Sequence, residues 1–210
     1  MQLTLLHQDS ELVIADKPSG LLSVPGRGPD KQDCVVNRVK EFLPDIIAQP
    51  AVHRLDMYTS GIMLLARTRN AHRELSRQFE QRRVHKRYVA LVQGVINETE
   101  GEIRLAFRLA PDNRPYQVYD PIQGKPGITR WKRLGVEGSF TRIEFTPLTG
   151  RTHQLRLHAA HPKGLGAPIV GDRLYGDGKE GGPMCLHASR IAFHHPKDGR
   201  PFKITSEIPF

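Results

Sequence analysis

Apolar residues recur along this chain mostly at period two or in short unbroken runs, with helical spacing confined to three stretches. Leu3 to Leu6 and Leu12 to Asp16 read as a strand pair around the polar turn His7-Gln8-Asp9-Ser10, and Pro18, Gly20, Pro25, Gly26 and Gly28 mark a long loop behind them. From Cys34 to Leu43 the apolar positions Val35, Val36, Val39, Phe42 and Leu43 predict a helix, with Asp33 as its cap and Pro44 as its stop. The run Ile62 to Ala66 predicts a strand, Ala71 to about Arg82 a basic helix capped by Asn70, and Tyr88 to Gln93 another strand. Further strands are expected near Gly101 to Arg108, Ile128 to Leu134, Phe140 to Pro147, Met184 to Ala188 and Ile191 to His194, with a short helix from His153 to Ala160 between them. Many strands and few helices, in no regular alternation, argue for α+β rather than a doubly wound parallel sheet.

Length changes the picture little. A chain of 210 residues permits one large domain or two small ones, and without a linker, low-complexity tract or internal repeat the expectation is one domain over residues 1–210. Charge changes it more. Lys and Arg outnumber Asp and Glu by 31 to 22, a net +9, which suits a polyanionic partner, nucleic acid first. Eight basic residues between Arg67 and Arg87 face only Glu74 and Glu80, so that segment carries +6 of the total. Its apolar residues Ala71, Leu75 and Phe79 are too few for a membrane-lying helix, no 18-residue apolar stretch occurs, and the first residues lack a leader's basic flank and apolar core. Cytoplasmic residence without membrane contact is therefore expected. Cys34 and Cys185, far apart and outside any Cys-x-x-Cys, suggest ordinary thiols of a reducing compartment.

The segment His53-Arg54-Leu55-Asp56-Met57-Tyr58-Thr59-Ser60-Gly61 sets a carboxylate beside an arginine in a Gly-terminated turn that feeds the strand Ile62 to Ala66. Loops that hold a charged side chain at a cleft are commonly placed between regular elements in this way. By spacing alone, however, an Arg-x-Asp triplet is more often a solvated ion pair than a catalytic centre. Three other segments alter that balance: Asp16-Lys17-Pro18-Ser19-Gly20-Leu21-Leu22-Ser23-Val24-Pro25-Gly26, Lys86-Arg87-Tyr88-Val89-Ala90, and Thr149-Gly150-Arg151-Thr152-His153-Gln154-Leu155-Arg156-Leu157-His158. With the nonapeptide, and in this order, they resemble the motifs of the RluA family of RNA pseudouridine synthases. The wording of the first, with Asp112-Asn113-Arg114-Pro115 later on, is most similar to the short members that modify both 23S rRNA and tRNA.

The resemblance implies the pseudouridine synthase fold, a long mixed, mostly antiparallel sheet flanked by helices and loops around a central RNA-binding cleft, without an amino-terminal S4-type module. It implies isomerisation of uridine in stem-loops of 23S rRNA and in the anticodon stem-loop of tRNA, with no obligatory protein partner. Redox state does not change in this reaction, so no cofactor is expected. Asp56 matches the family's catalytic carboxylate; the reading that competes is a surface Asp capping the turn at Thr59 or Ser60. Arg151 matches an arginine that pairs with that carboxylate, against a plain phosphate contact. Tyr88 matches a ring that lies against the target uracil, where a core tyrosine would otherwise be expected. Arg54 matches an arginine that fills the gap left by the flipped nucleotide, again against a phosphate contact. Leu157 and Leu186 are either walls of the cleft or core.

Other chemistries fit less well. Ten histidines invite a metal reading, but His153 and His158 are five apart, off a common helical face, and no metal is expected. Gly26-Arg27-Gly28 and the glycine-bearing loop Gly171 to Gly182 show neither a P-loop nor a dinucleotide fingerprint. A non-catalytic RNA-binding or ribosome-assembly factor would share the charge and the fold. A nucleosidase using the same carboxylate lacks a second carboxylate in a recognisable motif.

Overall fold

Leu12, Val13, Ile14 and Ala15 are all buried, and so is every residue from Ser60 to Ala66. Such runs need cover on both faces of a sheet, and the structure, a computed structural model describing residues 3–176 and 183–210, supplies it. On one face Val13, Ala15, Met63 and Leu65 pack with Val35, Val36 and Val39 of the first helix. On the other, Leu12, Ile14, Ile62 and Leu64 pack with Ala71 and Leu75 of the second, together with Ile191 and Phe193.

The chain divides into two compact units, residues 1–86 with 187–209, and residues 87–186 with 210. In the first, β1 (Thr4–Gln8), β2 (Leu12–Lys17) and β3 (Ser60–Ala66) pair antiparallel in chain order. Between β2 and β3 lies α1 (Val35–Phe42), and after β3 comes α2 (Arg69–Glu80). The second unit holds most of β4 (His85–Gln93), then β5 (Glu100–Leu109), β6 (Gln117–Tyr119), β7 (Lys125–Glu137), β8 (Phe140–Pro147) and α3 (Gln154–Ala160). Its strands run β4-β8-β7-β5-β6, all antiparallel. Alternate residues Ile103, Leu105 and Phe107 of β5, Thr129 and Trp131 of β7, and Thr141, Ile143 and Phe145 of β8 are buried, the period-two pattern of a sheet with one covered face. The chain then returns to the first unit in β9 (Leu186–His194), which joins β3 in parallel and takes β10 (Pro201–Thr205) on its other side.

The α+β reading therefore holds, with β3–β9 as a parallel pair in a mostly antiparallel arrangement. Differences from the pattern-based expectations are local. Cys34, not Asp33, caps α1, its sulfur accepting from Asn37 N, while Asp33 pairs with Arg38. Thr68, not Asn70, caps α2 by accepting from Ala71 N. The two strands expected near Met184 to Ala188 and Ile191 to His194 are the single strand β9. β6 and β10 were not expected, since their alternation is short and all but one of their residues are exposed or half-exposed. Of the glycine-bearing loop 171–182, residues 177–182 lie outside the described residues.

Candidate active site

The segment from Lys17 to Ser23 and the loop from His53 to Ser60, two separate motifs in the sequence, form one hydrogen-bonded assembly in the first unit. Ser23 Oγ donates to Leu55 O (2.7 Å) and accepts from Leu55 N (3.0 Å). Ser19 Oγ donates to Tyr58 O at 2.7 Å. Met57 O accepts from both Lys17 Nζ (2.8 Å) and Gly20 N (2.9 Å). Thr59 N donates to Asp56 O at 3.1 Å and closes the turn. Backbone groups on both sides of the half-buried Asp56 are thus held in place.

Lys17 is fully buried, and its ammonium also donates to Pro18 O (3.0 Å) and Leu21 O (2.7 Å), so three N–H bonds meet three carbonyls. Burial pushes the lysine down to about 7, while the charge of Asp56 pulls it upward. This cation, a motif residue with no role legible in the sequence, contributes a favourable field at Asp56. His53 opens the loop in a structural capacity: its Nε2 accepts from Leu64 N at 2.9 Å and its ring stacks on Phe79 at 5.0 Å. Desolvation, with Lys86 nearby, takes it down to about 3, which keeps the acceptor nitrogen unprotonated. Arg54 is exposed beside it.

In the second unit, Tyr88 lies half-buried on β4 opposite Phe145 of β8, and Arg151 is exposed in the loop before α3. Gln154 holds that loop. Its Oε1 accepts from Thr149 Oγ1 (2.7 Å) and Arg151 N (3.0 Å), and its Nε2 donates to Ile128 O (3.0 Å) and Thr129 Oγ1 (2.9 Å). All four hydrogen-bonding positions of the buried amide are filled. His153 sits left-handed at φ 54, a conformation costly for a non-glycine residue, and its Nδ1 meets Tyr175 Oη at 2.9 Å. Tyr175 is itself placed by Asp172, whose Oδ1 accepts from Leu174 N and Tyr175 N. Arg156 grips the same carboxylate with two bonds of 2.8 and 2.6 Å, both partners being almost wholly buried. Burial acts to raise the Asp172 carboxyl, but Arg156 and the two backbone N–H groups outweigh it and hold it below the ordinary range.

The candidate residues therefore fall into two sets, Arg54 and Asp56 on one loop of the first unit, Tyr88 and Arg151 on β4 and the pre-α3 loop of the second. Lys17, Ser19, Ser23, Gln154, Arg156 and Asp172 were missed as supporting residues, although all but Asp172 stand inside the motif segments quoted above. Leu157 and Leu186 are buried. Arg69, Arg73 and Arg77 are spaced by four along the exposed side of α2, followed by exposed Arg82 and Arg83. The histidines have dispersed tasks: His153 on Tyr175, His161 beside Tyr119, His195 on Asp9, and His158 edge-on to Phe107. Among the described residues no group of three or more His, Cys, Asp or Glu side chains could hold a metal ion. No helix among them is long and apolar enough to cross a membrane.

Residues 11–161 match the family model described as RNA pseudouridylate synthase, and the chain belongs to that family. It is 45% identical over 198 residues, 92% of this chain and 88% of the other, to the dual-specificity RNA pseudouridine synthase RluA of Pasteurella multocida. To the protein of the same name from Escherichia coli strain K12 it is 39% identical over 212 residues, 99% of this chain and 94% of the other. Among solved structures, human RNA pseudouridylate synthase domain containing 1 superposes with a TM-score of 0.81 at 28% identity, covering 99% of this chain and 84% of that one. The reaction class is isomerisation of uridine in RNA, and RNA is the partner.

Proposed function

We propose that this protein converts uridine to pseudouridine in stem-loops of 23S rRNA and in the anticodon stem-loop of tRNA, with Asp56 as the catalytic carboxylate. The observation that carries the reading is the clamp of Lys17, Ser19 and Ser23 on the backbone around Asp56, within a chain of this family. Preorganisation of that kind lets a carboxylate act on a reacting centre without reorganising first.

The reaction breaks the bond between N1 of uracil and C1′ of ribose, turns the base, and joins C5 to C1′; N1 gains a proton and C5 gives one up. No electron is gained or lost, so no redox partner enters. Asp56 attacks or deprotonates, Arg151 pairs with its carboxylate, Tyr88 lies against the flipped uracil and takes part in removing the C5 proton, and Arg54 fills the vacated place in the RNA stack. Residues 1–210 act as one catalytic domain, the arginines of α2 take phosphates, and the protein acts in the cytoplasm without an obligatory protein partner.

The test is mass-resolved mapping of pseudouridine in total RNA from cells with and without the gene, then incubation of the pure protein with the affected hairpins. Loss of defined rRNA and tRNA sites, restored by the wild-type protein and not by Asp56→Asn, is expected, with RNA binding retained by the variant. Isomerisation surviving in Asp56→Asn overturns the assignment of Asp56. Intact modification in the deletion strain, with tight RNA binding, would replace the enzymatic reading by that of an assembly factor.

A further inference from the structure

A second polar chain in the first unit reaches the signature loop from its exit. Ser60, the first residue of β3, stands opposite His187 in the parallel β3–β9 register, and Ser60 Oγ lies 2.9 Å from His187 Nδ1. On the far side of the ring, His187 Nε2 lies 3.1 Å from Ser206 Oγ, and Ser206 Oγ donates to Asp16 Oδ2 at 2.8 Å. Ser60 and His187 are almost completely buried. Ser206 is tied to β9 as well, its N donating to Ser189 O at 2.9 Å.

The direction of each hydrogen follows from the one group that cannot donate. The Asp16 carboxylate accepts, so Ser206 spends its hydroxyl hydrogen there and offers its oxygen to His187 Nε2–H. A neutral ring protonated on Nε2 has only an acceptor at Nδ1, which therefore takes the Ser60 hydroxyl. Burial, opposed by Asp16, moves His187 below its ordinary range and agrees with a neutral ring. Ser60 follows Thr59, whose N–H closes the turn on Asp56 O, and precedes Gly61, whose backbone lies against Ala188.

We propose that His187 is a positioning residue for the signature loop: Asp16 and Ser206 lock its tautomer, and its Nδ1 fixes Ser60 and with it the exit side of the turn that carries Asp56. The inference rests on the reading of that turn as the catalytic loop. Lys17, Ser19 and Ser23 hold the loop from one side, and the chain from Asp16 through the post-β10 segment holds it from the other. Among charged groups, Asp16 acts on the His187 ring.

Two isosteric replacements separate positioning from general support. In His187→Asn the side-chain oxygen can stand where Nδ1 stood and keep its bond to Ser60, while in His187→Gln the amide reaches Ser206 and the bond from Ser60 to position 187 is lost. Single-turnover and steady-state kinetics on a modified hairpin, with mass-resolved amide exchange of residues 55–60, read the difference. Expected are a kcat lower by about 10- to 100-fold in His187→Gln with KM little changed, faster exchange of the loop, and a His187→Asn variant close to wild type. Equal behaviour of the two variants, or a loss of kcat that follows the fall in melting temperature alone, overturns the proposal. Should His187→Gln fail to fold, Ser206→Ala unlocks the tautomer with the ring in place: loop exchange must then quicken, and unchanged exchange rejects the inference. The exchange measurement stands even if the wild-type protein makes no pseudouridine, an outcome that would count against the proposed function alone.

Discussion

Lys17 Nζ donates a 2.8 Å hydrogen bond to the carbonyl of Met57, the residue that follows Asp56, so a fully buried cation is fastened to the backbone of the candidate catalytic loop. The two other N–H bonds go to Pro18 O and Leu21 O, which makes the ammonium the junction of both motifs. Removing it in Lys17→Met leaves Pro18 O and Leu21 O without this donor, at about 1–3 kcal/mol for each one that water does not reach, while Met57 O keeps only Gly20 N. Stability measured by urea unfolding should fall by several kcal/mol, and kcat should fall more than KM rises. The pH dependence has a definite sign. Burial lowers the folded-state value from 10.5 to about 7, so between these values the unfolded chain holds more protons and this group's contribution to stability increases with pH. Loop anchoring goes the other way, because the neutral amine has only two N–H bonds, and kcat should decline above about pH 7 in the wild type. A lysine-dependent alkaline limb lying near pH 10 would contradict this.

Gly61 joins β3 to β9 at φ 107, and a Cβ there would stand 2.5 Å from Ala188 O and 2.6 Å from Ala188 N. Both obstacles are backbone and cannot turn aside. Gly61→Ala should cost about 3 kcal/mol or more, combining left-handed strain with separation of the parallel pair. Equilibrium unfolding decides this, and a loss below about 1 kcal/mol would show that β3 and β9 can slide apart without penalty.

Gln154 fills all four of its hydrogen-bonding positions on Thr149, Arg151, Ile128 and Thr129. Leucine of similar size at this position would leave Arg151 N and Ile128 O unpaired by the side chain. Gln154→Leu should lower kcat/KM on a hairpin substrate by about 10- to 100-fold through misplacement of Arg151. Arg151→Ala should show the kinetic defect without the accompanying loss of stability, and a Gln154→Leu enzyme with wild-type kinetics would remove Gln154 from the positioning set.

Asp9 accepts from Glu11 N and Leu12 N at the β1–β2 turn, and its Oδ2 lies 2.9 Å from both His7 Nε2 and His195 Nε2. Burial acts to raise its pKa, but these bonds together outweigh it and hold the carboxyl far below the usual 3.8. A depressed carboxyl contributes stability that is complete above the unfolded value and disappears as pH falls through the folded one. Wild-type stability should accordingly decline below about pH 4. Asp9→Asn should be less stable than wild type by about 1–3 kcal/mol at pH 7 and show a shallower acid slope in urea titrations. Parallel acid slopes for the two proteins would assign the acid sensitivity to other carboxylates.

Strand and helix were legible where burial is uniform along an element. The runs Leu12 to Ala15 and Ile62 to Ala66 could be read as strands because both faces are covered, and α1 and α2 because a single stripe is. Caps were less legible. Asp33, Cys34, Thr68 and Asn70 can all cap a helix, and the choice went with side-chain pairings, Asp33 with Arg38 five residues on and Thr68 with the distant Glu11. The motif residues Arg54, Asp56, Tyr88 and Arg151 came from family resemblance, whereas spacing by itself favoured surface ion pairs and core packing. His187, Ser206 and Asp172 carry no local signal, since a buried histidine, serine or aspartate is defined only by its partners.

Amino-acid order by itself determined the fold class, the basic character of α2 and the position of the signature loop, because each depends on residues close together in the chain. Tertiary structure decided what holds that loop: Lys17 to Ser23 on one side, and Asp16, His187 and Ser206 on the other. Hydrogen bonds between residues up to 190 positions apart leave no periodicity in a sequence. Their geometry exists only once apolar burial has brought β2, β3 and β9 together, and only then can a buried lysine or histidine find the partners that justify its burial.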